Sequence, residues 1–409
     1  MKPLAEALSV NSSRLLLIQI GYTSEEIEDL HSSGIGAVDL AEISENSAFE
    51  ILGSTPANVF STRADWSLWR QKNSSPLVVL VDFYSGAVFR PLELERFAFF
   101  GCKGLSSPIP PELTNISLNL RWRFNDIPVF PVCNSHELEV IASTLKKHVR
   151  QNQRIYFRGQ NNQYNIHRGP KTRELLYGSS DVLEPSMLST AFRWRFPYIS
   201  IERYWRTIIS DIDYRITGFK DRRWWVEDRF EAIYVSKNAM IAKWNSISVM
   251  AIAQHYGMPT YGLDVTTSID IAWWFATHKY GSNYGHSFYR PHVWEGFSIQ
   301  SWPVIYVLRS GSGEYIGKLD LPAKRPGRQE AVFAKGGWGP HGNICVDDLI
   351  ALIVLAPEIG VAPGTTTEIF PGIYEDPMYA ELIKLKNKLT EKHPLYIAAG
   401  LQYIQDFEI

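Results

Sequence analysis

The chain has 409 residues, 45% apolar and 21% charged, which exceeds the usual single-domain size and predicts a globular protein of two domains with a large core. A formal net charge of −2 at pH 7 excludes bulk electrostatic capture of nucleic acid and leaves only local basic patches for that purpose. The cysteines Cys102, Cys133 and Cys345 are odd in number and far apart, which excludes a disulfide framework and a zinc cluster and fits a reducing compartment. The first residues lack the apolar stretch and small-residue cleavage site of a secretory leader. No segment approaches the ~18 consecutive apolar residues of a membrane span, so cytoplasmic residence without a membrane partner is the expectation.

In chain order, Thr23-Ser24-Glu25-Glu26 has the form of a capping box opening a short helix that carries Ile27 and Leu30 and stops near Ser33-Gly34. The β-branched run Leu77 to Phe83 reads as a buried strand. From Leu105 to Asn125, three prolines (Pro108, Pro110, Pro111) precede a strand-like stretch rich in Leu, Ile and Trp. Residues 1–133 are read as a smaller α/β domain for recognition or regulation, suited to an inhibitory or target-selecting partner. The boundary is expected between Pro128 and Asn134, where Pro128, Pro131 and an Asn134-Ser135 cap interrupt regular structure.

Beyond it, Leu138, Ile141, Leu145 and Val149 mark one face of a helix, with Lys146, Lys147 and His148 at its C-terminal end. Arg154 to Gln160 reads as a strand with Ile155 and Phe157 on one face, ending at Gly159 where the chain turns away and placing Arg158 at the strand's end. The stretch from Tyr198 to Asn245 reads as a helical insertion rich in Trp, Tyr and Arg, including Arg222-Arg223-Trp224-Trp225. Gln254, His255 and Tyr256 precede a Gly257-Met258-Pro259 break. Leu263-Asp264-Val265 then run as a short strand into Thr266-Thr267-Ser268 and a helix with Ile271, Trp274 and Phe275 on its apolar stripe. A polar loop, a strand and a hydroxyl-capped helix in succession aim hydroxyls, a carboxylate and backbone donors at one point, as phosphate and ribose sites require. Further strands are expected at Pro303 to Arg309 and Leu349 to Leu355, and Asp376-Pro377 opens a C-terminal helix bearing Leu382, Leu385 and Leu389.

Several of these segments stand in a familiar order: Phe157-Arg158-Gly159, the Pro185-Ser186 pair within Leu183 to Leu188, Gln254-His255-Tyr256-Gly257, Pro259-Thr260, Leu263-Asp264, Thr266-Thr267-Ser268, the helix with Phe275-Ala276, and Gly327-Arg328-Gln329-Glu330 before Phe333. Together, over roughly Arg154 to Tyr379, they resemble the FRG-domain family, named for the first tripeptide. The order of an arginine on a strand, a Thr-Ser strand-to-helix junction and a late acidic or amide residue is also similar to ADP-ribosyltransferases. That resemblance implies an α+β fold in which an ADP-ribosyltransferase-like mixed β-sheet domain at 134–409, with its helical insertion at about 198–245, follows the smaller α/β domain.

It further implies NAD as substrate, with Arg158 on a phosphate or ribose, Thr266, Thr267 and Ser268 holding the site together, and Glu330 or Gln329 as the late residue beside the nicotinamide ribose. Each role is chemically sound: a guanidinium forks onto phosphate oxygens, and a carboxylate stabilises the oxocarbenium-like ribose that nicotinamide leaves behind. Catalysis would rest on Glu330, Gln329 and Arg158. Binding would involve Arg158, Gly159, Gln160, Gln254, His255, Tyr256, Asp264, Thr266, Thr267 and Ser268, with Tyr256, Tyr261 and Trp273 as stacking walls for the pyridinium. If Gln329 and Glu330 lie on a strand, only one of them faces the cleft; the family tends to have Gln here, whereas only Glu330 carries charge. No metal is expected, because no His, Cys or carboxylate cluster has ligand spacing.

The expected activity is an ADP-ribosyltransferase or NAD glycohydrolase, modifying a protein or nucleic-acid acceptor or hydrolysing NAD. The resemblance implies a toxin or effector in bacterial or phage conflict. Two alternatives stay open: a non-catalytic nucleotide- or sugar-sensing module, and a nucleic-acid-binding protein working through the Arg/Trp-rich insertion.

Overall fold

The computed structural model describes residues 10–39, 78–82, 84, 88–89, 113, 118–122, 125–149, 153–177, 180–193, 204–205, 207–209, 211–212, 216, 246–260, 262–283, 286–296, 298–310, 314–315, 323–334, 343–389 and 400–407. Two compact units divide the chain. The first comprises Met1–Val129, Tyr164–Leu188 and Gly336–Ala351, the second Phe130–Gln163, Ser189–Lys335 and Leu352–Ile409. The first unit thus takes in the stretches 164–188 and 336–351 beside the N-terminal residues.

In the first unit, α1 (Val10–Gln19) and α2 (Ser24–Ser32) lead into an antiparallel sheet ordered β1 (Ile35–Asp39), β2 (Val78–Asp82), β3 (Val88–Phe89). The expected capping box is present: the Thr23 hydroxyl accepts from Glu26 N, and the Glu26 carboxylate accepts from Thr23 N, satisfying two otherwise orphan donors. Ile27 and Leu30 form the buried face of α2, and Gly34 follows with φ +77. The unbroken apolar run of β2 follows from its burial beside β1, in register from Ile35↔Asp82 to Asp39↔Val78. Leu77, Phe83, Cys102 and the prolines at 108, 110 and 111 lie outside the described residues.

Arg168 explains why 164–188 joins this unit. Its guanidinium takes both Asp82 oxygens at 2.9 Å and donates to Glu184 Oε2 and to the Ser33 carbonyl at 2.8 Å each. The other Glu184 oxygen accepts from Asn343 Nδ2 at 2.7 Å, which brings in the segment around 343. All four side chains are buried, and a buried cation is tolerable only when paired and hydrogen-bonded in this way.

β4 (Leu118–Trp122) pairs antiparallel with β5 (Asn125–Val132), starting at Leu118↔Val129. β5 runs unbroken through Pro128 and Pro131, where the sequence suggests an interruption of regular structure, because the fixed φ of proline suits extended chain and costs only a donor. The regular pattern stops at Cys133, and Asn134 caps α3 (Ser135–Lys147) by accepting from Glu137 N at 2.9 Å. Leu138, Ile141, Ala142 and Leu145 are its buried face, while Val149 lies past its end.

The second unit continues with β6 (Arg154–Gln160), α4 (Ser246–His255), β7 (Leu263–Thr266), α5 (Ile269–Thr277), the hairpin β8 (His278–Asn283) and β9 (His286–Pro291), β10 (Val304–Ser310), β11 (Glu314–Tyr315), the single turn α6 (Arg325–Arg328), β12 (Ala331–Ala334), β13 (Leu349–Leu355) and α7 (Pro377–Lys388). Its sheet runs β11-β12-β7-β6-β10-β13-β5. β6 and β10 pair antiparallel along their whole length, Val304↔Gln160 to Ser310↔Arg154. The fold is therefore α+β around a multi-stranded sheet. Of the Tyr198 to Asn245 insertion, the described residues include helical Tyr204 and Trp205, with Trp205 fully buried; Arg222 to Trp225 lie outside them.

Gly159 sits inside β6 and does not end it. A Cβ there would stand 1.8 Å from Ala272 O and 2.7 Å from Ala276 N of α5, so the glycine serves the close seating of that helix on the strand. Gly159→Ala is expected to destabilise the chain by about 1–3 kcal/mol through overpacking. A shifted denaturation midpoint checks this, and an unchanged midpoint would contradict such close seating.

Candidate functional site

The strands that carry the three motifs are neighbours. β7 pairs antiparallel with β12, from Leu263↔Ala334 to Thr266↔Ala331, and meets β6 at Phe157↔Thr266. Arg158 is half-buried, opposite Tyr306 of β10, and Nη1 donates to the Asp264 carbonyl at 2.7 Å. It lies two residues inside β6 and not at the end where the sequence placed it. Opposed residues share a face and alternate along each strand. By this register Arg158 lies on the side of Val265 and, one pleat on, Thr267, whereas Asp264 and Thr266 lie on the side of Gly159.

The Thr-Thr-Ser junction ties β7 to the turn before β12. Thr266 Oγ1 donates to the Gln329 carbonyl at 2.8 Å and accepts from Ser268 N at 3.0 Å. Thr267 N donates to the Glu330 carbonyl at 3.2 Å, and Thr267 Oγ1 donates to Glu330 Oε2 at 2.9 Å. Ser268 is the N-cap of α5, accepting from Ile271 N, so the capping role expected of it is present.

The third motif differs from its expected form. Gln329 and Glu330 are not strand residues: Gln329 is the C-cap of α6, and Glu330, at φ 43, makes the left-handed step into β12. A turn before the strand, not strand alternation, separates their side chains. Gln329 is buried, with Oε1 2.9 Å from His255 Nδ1 and Nε2 donating to the Ile369 carbonyl at 3.4 Å. Glu330 is exposed, its carboxylate held by the Thr267 hydroxyl. It is the only non-glycine residue with positive φ among those described, a conformation that costs of order 1–3 kcal/mol and persists where the surroundings fix it.

The other expected site residues fall into two groups. His255, with its side chain 1% exposed, points Nε2 at Asp264 Oδ1 across 3.6 Å, and the Asp264 side chain is 40% exposed. Gln160 ends β6 half-buried, and Gln254 accepts from the Thr260 hydroxyl. Tyr256 is fully buried, its hydroxyl donating to Asp376 Oδ2 at 2.8 Å and its ring near Tyr379 and the Arg325 guanidinium. It is a core wall and offers no open face to a pyridinium. Burial, then the neighbouring Asp376 charge, pushes its phenol well above the ordinary range; burial also raises Asp376 against its hydrogen bonds from Tyr256 and the Tyr379 amide. Trp273 is likewise buried in α5, and Tyr261 lies outside the described residues.

Two further side chains, Lys146 and Arg325, take places that the sequence pattern does not show. Lys146 Nζ donates to the Thr267 carbonyl at 3.0 Å and stands 5.0 Å above the Phe157 ring, although its position on α3 marks it only as a helix-end cation. Arg325 is fully buried, with its guanidinium 3.8 Å from the Tyr379 ring centroid, and nothing in the adjacent residues signals this aromatic surrounding. Among the described residues no group of three His, Cys, Asp or Glu side chains is placed to hold a metal ion, and no helix is long and apolar enough to cross a membrane.

Residues 153–284 match the family model of the FRG domain. The match begins at the β6 motif and takes in the Thr-Thr-Ser junction and α5, while the Gln329-Glu330 turn lies beyond it. No curated protein and no solved structure matches the chain.

Proposed function

From the chain's membership of the FRG-domain family, through residues 153–284, we propose that it is an ADP-ribosyltransferase-like enzyme that uses NAD, modifying a macromolecular acceptor or hydrolysing NAD. One observation carries the reading: an exposed carboxylate, Glu330, is fixed on the hydroxyl of Thr267 beside the strand of Arg158. In the reaction the bond between nicotinamide nitrogen and ribose C1′ breaks, and its electron pair leaves with nicotinamide. The cationic ribose then takes an acceptor nucleophile or water, which gives up a proton. A carboxylate held in place before that charge appears stabilises it without reorganisation. Arg158, always protonated and partly shielded, suits a phosphate oxygen, and Thr267 orients the carboxylate.

Arg158→Ala tests the binding half. A charged hydrogen bond to phosphate contributes roughly 1.5–3 kcal/mol, so the variant is expected to bind NAD about one to two orders of magnitude more weakly while keeping the wild-type circular dichroism. Calorimetry showing unchanged affinity in a folded variant would contradict the assignment.

A further inference from the structure

Gln329 occupies a place where a carboxylate would fail. Its amide accepts from His255 Nδ1 at 2.9 Å through Oε1 and donates to the Ile369 carbonyl at 3.4 Å through Nε2, and a glutamate has no donor for that carbonyl. Its own carbonyl accepts from Thr266 Oγ1 at 2.8 Å, so main chain and side chain are both tied down. The next residue is Glu330, with its left-handed backbone and its carboxylate on Thr267. His255 is in turn enclosed, with Asp264 Oδ1 across from its other nitrogen.

We propose that His255 and Gln329 are positioning residues, a buried clamp that holds the Glu330 turn and thereby aims the Glu330 carboxylate. The clamp hydrogen bond fixes Gln329; Gln329 fixes the turn; the strained turn delivers the exposed carboxylate to Thr267. As a catalytic device this rests on the NAD reading of Glu330, but the clamp itself is measurable in the free protein.

The test is amide hydrogen exchange of the full chain without ligand, followed at Thr267 N, whose bond to the Glu330 carbonyl reports the turn. His255→Asn puts an amide donor near the position of Nδ1, whereas His255→Gln puts one near Nε2. His255→Gln is expected to speed exchange at Thr267 about tenfold, and His255→Asn to leave it close to wild type. Gln329→Met removes the same bond from the other side, should His255→Gln fail to fold, and is expected to speed exchange equally. Unchanged exchange in the folded variants that lose the bond, or equal acceleration in His255→Asn, would overturn the clamp. With NAD, faster exchange accompanied by a lower kcat at nearly constant KM supports positioning. Faster exchange in a protein whose wild type releases no nicotinamide leaves the clamp standing and removes the NAD reading alone.

Discussion

Glu330→Gln is expected to bind NAD as the wild type does and to release nicotinamide about 10²–10³-fold more slowly, the scale of losing one electrostatic stabiliser of a transition state. The amide oxygen still accepts from the Thr267 hydroxyl, so shape and placement survive while the negative charge is gone. Only an interaction stronger in the transition state than in the ground state behaves this way. Steady-state release of nicotinamide, with binding measured separately by calorimetry, resolves the two. Full release by a folded Glu330→Gln protein would refute the catalytic assignment.

Arg168→Leu is expected to cost about 3–5 kcal/mol of stability, because it leaves two buried carboxylates, Asp82 and Glu184, without their cation. The loss should appear in chemical denaturation of the full chain. Adding Asp82→Asn and Glu184→Gln to the same variant should restore part of it, since neutral amides are less costly to bury than unpaired charges. A single variant within about 1 kcal/mol of wild type would show that the network contributes little.

What could be read beforehand is local. The Thr23 capping box, the Asp376 cap of α7, the Ser268 cap of α5 and the buried strand at Leu349–Leu355 are each written in a few adjacent residues. What could not be read depends on partners far along the chain. Nothing near Gly159 indicates that Ala272 packs against it, so the glycine resembles a turn former. Pro128 and Pro131 resemble breakers of regular structure until the strand they occupy is seen. Gln329 and Glu330 resemble strand neighbours because no sequence signal marks a glutamate for positive φ; that conformation is imposed by His255, Thr266 and Thr267. Arg168 gathers Glu184 from 16 positions away, Asp82 from 86 and Ser33 from 135, a grouping that only the folded chain displays.

Incubating the purified chain with NAD, with and without cell extract, and measuring free nicotinamide decides whether the chain turns NAD over. Release that depends on Glu330 and Arg158 is expected, either from the protein alone or when the extract supplies an acceptor. No nicotinamide under either condition, from a folded protein that still binds NAD, would contradict an enzymatic role.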